Sequence, residues 1–278
     1  MSNKKLSGEV YFPPEKIIEK AHIKDRDDLD NRAKKDYSGF WGEIANELHW
    51  FQKWDKVIDD SNKPFYKWFT GAKTNIVYNC LDVHTKTFRR NKLALIWEGE
   101  NGDSKTYSYF ALHRETCKFS NILKSLGVQK GDRVTIYMGR TPEIVIAMLA
   151  CARIGAVHSV VYGGFSVESL AERIEDSNSK VLIVSDGAYQ RGKIVPLKQI
   201  ADEALQRCGT VEHCLVVKRT GQEINMEQGR DMWYHELMNL PIATQNCALE
   251  IVDSEDPLFI LYTSGTTGKP KAILHTHG

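Results

Sequence analysis

From about residue 90 onward, short and almost wholly apolar runs alternate with longer stretches whose apolar residues recur at helical spacing. Arg133–Met138 is a strand candidate, and after Thr141-Pro142 the spacing predicts a helix from Glu143 to Ile154. A strand over Ala156–Tyr162 follows, then a helix over Val167–Glu175 in which Val167, Leu170 and Ile174 share one face and Ser166 stands at the N-cap. The alternation continues with a strand at Lys180–Ser185, a helix at Leu197–Leu205, a strand at His213–Lys218 and a fully apolar strand at Leu258–Tyr262. Strands that are hydrophobic throughout and separated by helices belong in a mostly parallel sheet covered on both faces, so the expected fold class is α/β. Gly221–Arg230, rich in amides and acids, reads as an exposed loop, and there is no internal repeat or low-complexity tract.

Residues 1–90 follow another pattern. They are rich in Lys, Asp and aromatics, with Trp41, Trp50, Trp54 and Trp68 expected along short helical stretches. Aromatic side chains carry large areas to bury, so this segment is expected to pack as a helical and aromatic extension. Its first helix is signalled by Pro13-Pro14 followed by Glu15 and the run to Ala21. The expected division is an extension over 1–90 and a main α/β part over 91–278.

Composition narrows the function classes. The 37 Lys plus Arg against 36 Asp plus Glu give a net charge of +1, without the basic excess that phosphate-backbone binding needs, so no nucleic-acid partner is expected. With 42% hydrophobic residues the chain can bury a core, which excludes intrinsic disorder. The apolar run Ile144–Ala152 is about half the roughly 18–20 residues of a spanning helix and ends at Arg153, so no membrane partner is expected. Met1-Ser2-Asn3-Lys4-Lys5 is not followed by an apolar signal region, and a cytoplasmic location is the expectation. The six cysteines contain no C-x-x-C pair and read as buried free thiols.

The chemistry concentrates in Tyr262-Thr263-Ser264-Gly265-Thr266-Thr267-Gly268-Lys269-Pro270-Lys271, directly after the last apolar strand. Two glycines let backbone N–H groups approach an anion, Ser/Thr hydroxyls can donate to phosphate oxygens, and a lysine adds compact positive charge. A short S-G-x-x-G alone would be an ordinary turn between strands; the ten-residue string is more specific. It is not a Walker A loop. Thr263 stands where that pattern wants its first glycine, and Pro270 stands where it wants a hydroxyl. Proline also opposes a following helix, and Ala272-Ile273-Leu274 reads as a strand, giving a strand–loop–strand flap.

The string Tyr262–Lys271 with Leu274-His275-Thr276 resembles the phosphate loop of the adenylate-forming superfamily. Lys67-Trp68-Phe69-Thr70-Gly71, Asn75, Tyr78-Asn79-Cys80-Leu81-Asp82 and His84 are similar to short-chain acyl-CoA synthetases of the acetyl-CoA synthetase type, as is Arg153 through Phe165. The resemblance spans about Tyr37 to Gly278. It implies an AMP-forming acetate–CoA ligase whose substrates are acetate, ATP with Mg²⁺, and coenzyme A. Thr263, Ser264, Gly265, Thr266, Thr267, Gly268 and Lys269 are then implied to cradle the ATP phosphates, with Lys269 and Thr266 acting catalytically, and no resident metal is expected.

A second implied site is Gln190-Arg191-Gly192-Lys193, whose charges would meet coenzyme A phosphates, with Gly163 and Gly164 of the turn Tyr162–Phe165 as the wall beside its adenine. Gln190 departs from an arginine common in the family, Ala272 from a common glycine, and Lys73-Thr74 from the usual residues before Asn75. Without the resemblance, the two cations read as solvated surface and the glycines as a tight turn. His84, His158 and His275 have no metal-ligand spacing on one element and read as structural. The family places its adenine-binding motifs, acid pocket, hinge and small C-terminal domain after the phosphate loop. The expectation is therefore an N-terminal part of a longer ligase, inactive by itself, with ligation of another acid such as propionate, or a non-catalytic nucleotide- or CoA-binding role, as alternatives.

Overall fold

The computed structural model describes residues 12–263 and 270–278, and the chain divides into two units, one ending at Glu47 and one running from Leu48 to Gly278. The first unit holds three helices, α1 (Glu15–Lys20), α2 (Arg26–Lys35) and α3 (Tyr37–Ala45). Asp25 and Asp36 cap the second and third by accepting from the N–H of Asp28 at 3.0 Å and of Gly39 at 2.8 Å.

The second unit opens with a hairpin, β1 (Lys56–Asp59) and β2 (Lys67–Thr70), and a short strand β3 (Lys73–Thr74). Trp68 therefore lies on a strand and not on a short helical stretch. The reason is packing at longer range, since the rings of Trp50 and Trp54 each lie 5.1 Å from that of Phe69, and Ser254 donates to the carbonyl of Phe69 at 2.7 Å. A π-turn over Tyr78–Asp82 runs into α4 (Val83–Thr85), followed by the hairpin β4 (Leu93–Glu98) and β5 (Ser104–Ser108) and the long helix α5 (Tyr109–Ser125).

The remaining elements follow the expected alternation: β6 (Arg133–Met138), α6 (Pro142–Arg153), β7 (Val157–Tyr162), α7 (Val167–Ser177), β8 (Val181–Ser185), the small hairpin β9 (Ala188–Gln190) and β10 (Lys193–Val195), and α8 (Leu197–Leu205). Then come β11 (His213–Val217), β12 (Asp231–Trp233), α9 (Tyr234–Leu237), β13 (Val252–Asp253), β14 (Pro257–Thr263) and β15 (Lys271–Thr276). The main sheet has the order β12-β11-β8-β6-β7-β14-β15, parallel throughout except for the antiparallel edge pair β14–β15. The expected parallel sheet with helices on both faces is what forms.

Strand residues alternate between the two covered faces. Val134, Ile136 and Met138 of β6 and Val181 and Ile183 of β8 pack with α5 and α6, while Tyr137, Leu182 and Val184 pack with α7 and α8. Polar anchors tie the residues before α5 to this layer. Asn75 donates to the carbonyls of Ala152 and Glu250, each at 2.8 Å. Arg153 grips Asp82 with two N–H groups at 2.8 and 3.2 Å and donates to the carbonyl of Cys247. Cys117, Cys151, Cys214 and Cys247 are buried free thiols, Cys208 is half-buried, and Cys80 is exposed. Among the described residues no helix is long and apolar enough to cross a membrane.

Three histidines of this core set a pH dependence. His113 lies 3.3 Å from Asp82, and that hydrogen bond raises its pKa to about 9. Burial pushes His158 and His277 down to about 4, in the second case despite the nearby Asp256. Between about pH 4 and 6.5 the unfolded chain holds protons that folded His158 and His277 have lost, so stability rises with pH. Between 6.5 and about 9 folded His113 keeps a proton that the unfolded chain has released, so stability falls. Urea midpoints measured across this range are expected to peak near pH 6.5, and a midpoint climbing steadily to pH 9 would contradict the assignment of His113.

Candidate ligand cleft

The chain leaves β6 for β7 on one side and later returns to place β8 on the other, so the loops after these strands diverge. Such a switch point opens a crevice at the carboxyl edge of a parallel sheet. Here it is a cleft of about 360 Å³, lined by Met138–Thr141 after β6, Tyr162 and Gly163 after β7, and Ala188–Arg191 after β8. Trp97–Glu100 from the β4–β5 turn and Arg219 after β11 complete it.

Two segments singled out in the sequence thus meet. Gln190 Nε2 donates to the Tyr162 hydroxyl at 2.8 Å, joining the β9–β10 hairpin to the Tyr162–Phe165 turn. Gly163 has a steric reason to be glycine, because an added Cβ would lie 2.9 Å from the carbonyl oxygen of Met138. Gln190-Arg191-Gly192-Lys193, whose cations read as solvated surface without the resemblance, is the tip of a tight hairpin. Arg191 (φ 53°) and Gly192 (φ 73°) both adopt the left-handed conformation of a two-residue turn that matches strand twist. The Gly192 N–H donates to Glu100 at 2.5 Å, fixing the turn over the cleft. Arg191 lines the cleft and is exposed, whereas Gly164 and Lys193 stand outside the lining.

A single carboxylate organises the floor. Asp186 follows β8, is fully buried, and accepts the N–H groups of Gly187 (2.7 Å), Arg219 (2.7 Å), Thr220 (3.0 Å) and Gly221 (2.6 Å). It thereby sets the position of Arg219. The Arg219 guanidinium lies 5.0 Å from the Trp97 ring and 4.9 Å from that of Tyr189, pairs with Asp103 at 2.5 Å and donates to Asn101 at 2.6 Å. Stacked and hydrogen-bonded in this way, it acts as a brace for the aromatic wall.

β14 runs parallel to β7, so its last residue, Thr263, lies at the same sheet edge as the cleft. Thr263 is the register partner of Lys271 and donates to its carbonyl at 3.5 Å, so the two strands expected on either side of the phosphate string pair antiparallel. Ser264, Gly265, Thr266, Thr267, Gly268 and Lys269 lie outside the described residues. Arg173 couples the two regions, with its guanidinium 4.7 Å from the Phe165 ring and 5.2 Å from the Tyr262 ring. His158 and His275 flank the Phe259 ring at 5.6 and 4.3 Å, away from the cleft lining. Among the described residues no three His, Cys, Asp or Glu gather in a way that could hold a metal ion.

Trp97, Arg140, Thr141, Asp186 and Arg219 are not signalled by any motif in the sequence. Only Asp186, an acid placed directly after an apolar strand and before glycine, carries a local hint. Arg219 reaches Asp103 across 116 residues of chain, a contact that no local pattern encodes.

The sequence model of the AMP-binding enzyme family matches residues 81–278, and a model described as the acetyl-coenzyme A synthetase N-terminus matches residues 27–80. Similar curated proteins include the acetyl-coenzyme A synthetase of Chlorobaculum tepidum, 49% identical over 269 residues, which cover 96% of this chain and 40% of that protein. That of Rubrobacter xylanophilus is 50% identical over 279 residues, covering 100% and 43%, and that of Campylobacter jejuni 50% identical over 272 residues, covering 96% and 41%. The chain spans about two fifths of the length of these relatives.

Proposed function

The chain belongs to the AMP-binding enzyme family, and we propose that it is the coenzyme A-receiving and ATP-phosphate-holding part of an AMP-forming acetate–CoA ligase. In that reaction an acetate oxygen attacks the α-phosphorus of Mg-ATP and pyrophosphate leaves. The coenzyme A thiolate then attacks the acetyl carbon of the adenylate and AMP leaves. Both steps depend on holding phosphorylated ligands in place and offsetting their charge. Thr263 through Lys269, with Lys269 and Thr266 as the catalytic residues, serve the pyrophosphate side, and Mg²⁺ arrives with ATP. Gln190, Arg191, Gly192 and Lys193, with Gly163 and Gly164, serve coenzyme A.

The observation that carries this reading is the cleft itself, in which Tyr162 and Gly163 meet Gln190 and Arg191 at the carboxyl edge of the sheet. Gln190 fits the role by bracing Tyr162, in place of the charge contact an arginine would give. Titration of the purified chain with coenzyme A and, separately, with ATP tests the proposal. Coenzyme A is expected to bind, with an affinity that falls as salt is raised. If the chain binds no coenzyme A at low salt, the assignment of this cleft fails.

A further inference from the structure

One wall of the cleft is a turn whose rings burial alone does not hold. Tyr162 and Gly163 line the cleft, yet Tyr162 is 50% exposed and Phe165 38%. The backbone of the turn is fixed by two hydrogen bonds. The Phe165 N–H donates to the Tyr162 carbonyl at 3.1 Å, and the Tyr137 hydroxyl donates to the Phe165 carbonyl at 2.8 Å. The rings depend on each other and on a cation. Phe165 meets the Tyr162 ring edge-on with centroids 5.8 Å apart, and the Arg173 guanidinium lies 4.7 Å from the Phe165 ring.

Arg173 stands on α7, is 7% exposed, and has no carboxylate within ion-pair distance among the described residues. Burial lowers its pKa below the usual arginine value, as expected of a charge that no carboxylate offsets. What receives the guanidinium is the Ser169 carbonyl, which accepts from Nη1 at 2.6 Å, and two rings, that of Phe165 and that of Tyr262 at 5.2 Å. Asp176 accepts from the Tyr262 hydroxyl at 2.7 Å and so fixes the second ring, but makes no ion pair with Arg173. Stability alone does not call for this arrangement, since an apolar side chain of similar length fills such a space without burying an uncompensated charge.

We propose that Arg173 is a positioning residue for coenzyme A: anchored on the Ser169 carbonyl and the Tyr262 ring, its guanidinium holds the Phe165 ring, and through it the Tyr162 ring, where the ligand packs against the turn. The inference rests on the coenzyme A reading and adds to it a support that acts from outside the cleft lining.

The test is calorimetric titration of the 278-residue chain, wild type and variants, with coenzyme A, beside urea unfolding of the same proteins. Arg173→Met, which keeps an unbranched stem and removes the cation, is expected to weaken coenzyme A binding about fivefold while leaving the urea midpoint no lower than that of wild type. Arg173→Lys, which keeps a cation but not the stacking plane, should fall between the two in affinity. Phe165→Leu should weaken binding by a similar factor, and adding Arg173→Met to it should cost little more, because both changes break one chain of contacts. Additive losses in the double variant, or an affinity loss that comes with a lowered midpoint in Arg173→Met, overturn the proposal and leave Arg173 a structural residue. An Arg173→Met affinity within about twofold of wild type overturns it as well, with the coenzyme A reading intact. Absence of coenzyme A binding by the wild-type chain overturns both.

Discussion

Asp186→Ala is expected to lower the unfolding free energy of the chain by about 3–4 kcal/mol. The carboxylate is fully buried, and four backbone N–H groups from two separate loops converge on its oxygens. Alanine removes all of these acceptors together. Gly187 is buried, whereas Gly221 is exposed and its N–H can turn to water, which keeps the cost below the sum of four orphaned donors. Asp186→Asn separates acceptor geometry from charge. One side-chain oxygen is retained, but the amide then points a donor at the N–H groups that Oδ2 now receives from Thr220 and Gly221. About half of the alanine effect or more should therefore persist. Urea unfolding gives the measurement, with a lowered midpoint and an unchanged m-value as the expected result. A midpoint shift equivalent to less than about 1 kcal/mol for alanine would show that the two loops hold together without the carboxylate.

The same residue shows where sequence reading stops. The alternation of strands and helices between Arg133 and Thr263 is written in the local pattern, and the helix expected over Glu143–Ile154 forms over Pro142–Arg153. Buried parallel strands need apolar residues on both faces, and that requirement is visible without any tertiary information. The phosphate string stands out by composition, whereas the Gln190–Lys193 segment is marked only by the resemblance, its cations reading otherwise as solvated surface. The cleft is not legible in this way, because its brace comes from contacts across the fold. Arg219 is positioned by Asp186, Trp97 and Tyr189. Trp68 shows the same limit in the other direction, since its neighbourhood looked helical and pairs as a strand through contacts with residues near Ser254. The hairpin at Ala188–Val195 has no local signal, because Arg191 takes a left-handed conformation that Asn or Gly would advertise.

In a protein carrying this segment at the length of the relatives, Lys269→Ala is expected to slow formation of the acyl-adenylate by about 10²–10³-fold. As pyrophosphate departs, negative charge builds on the β- and γ-phosphates, and a lysine ammonium placed there favours the transition state more than the bound ATP. Its removal should therefore depress kcat for the first half-reaction, read as pyrophosphate exchange, more than it raises KM for ATP. Transfer from acetyl-adenylate to coenzyme A should be spared, because the charge proposed for coenzyme A comes from another part of the sheet, Arg191 of the hairpin after β8. Coenzyme A affinity is then expected to change less than twofold. A tenfold loss of coenzyme A binding in Lys269→Ala would mean that one pool of positive charge serves both ligands, and the separation between the segment after β14 and the cleft at β6, β7 and β8 would have to be given up.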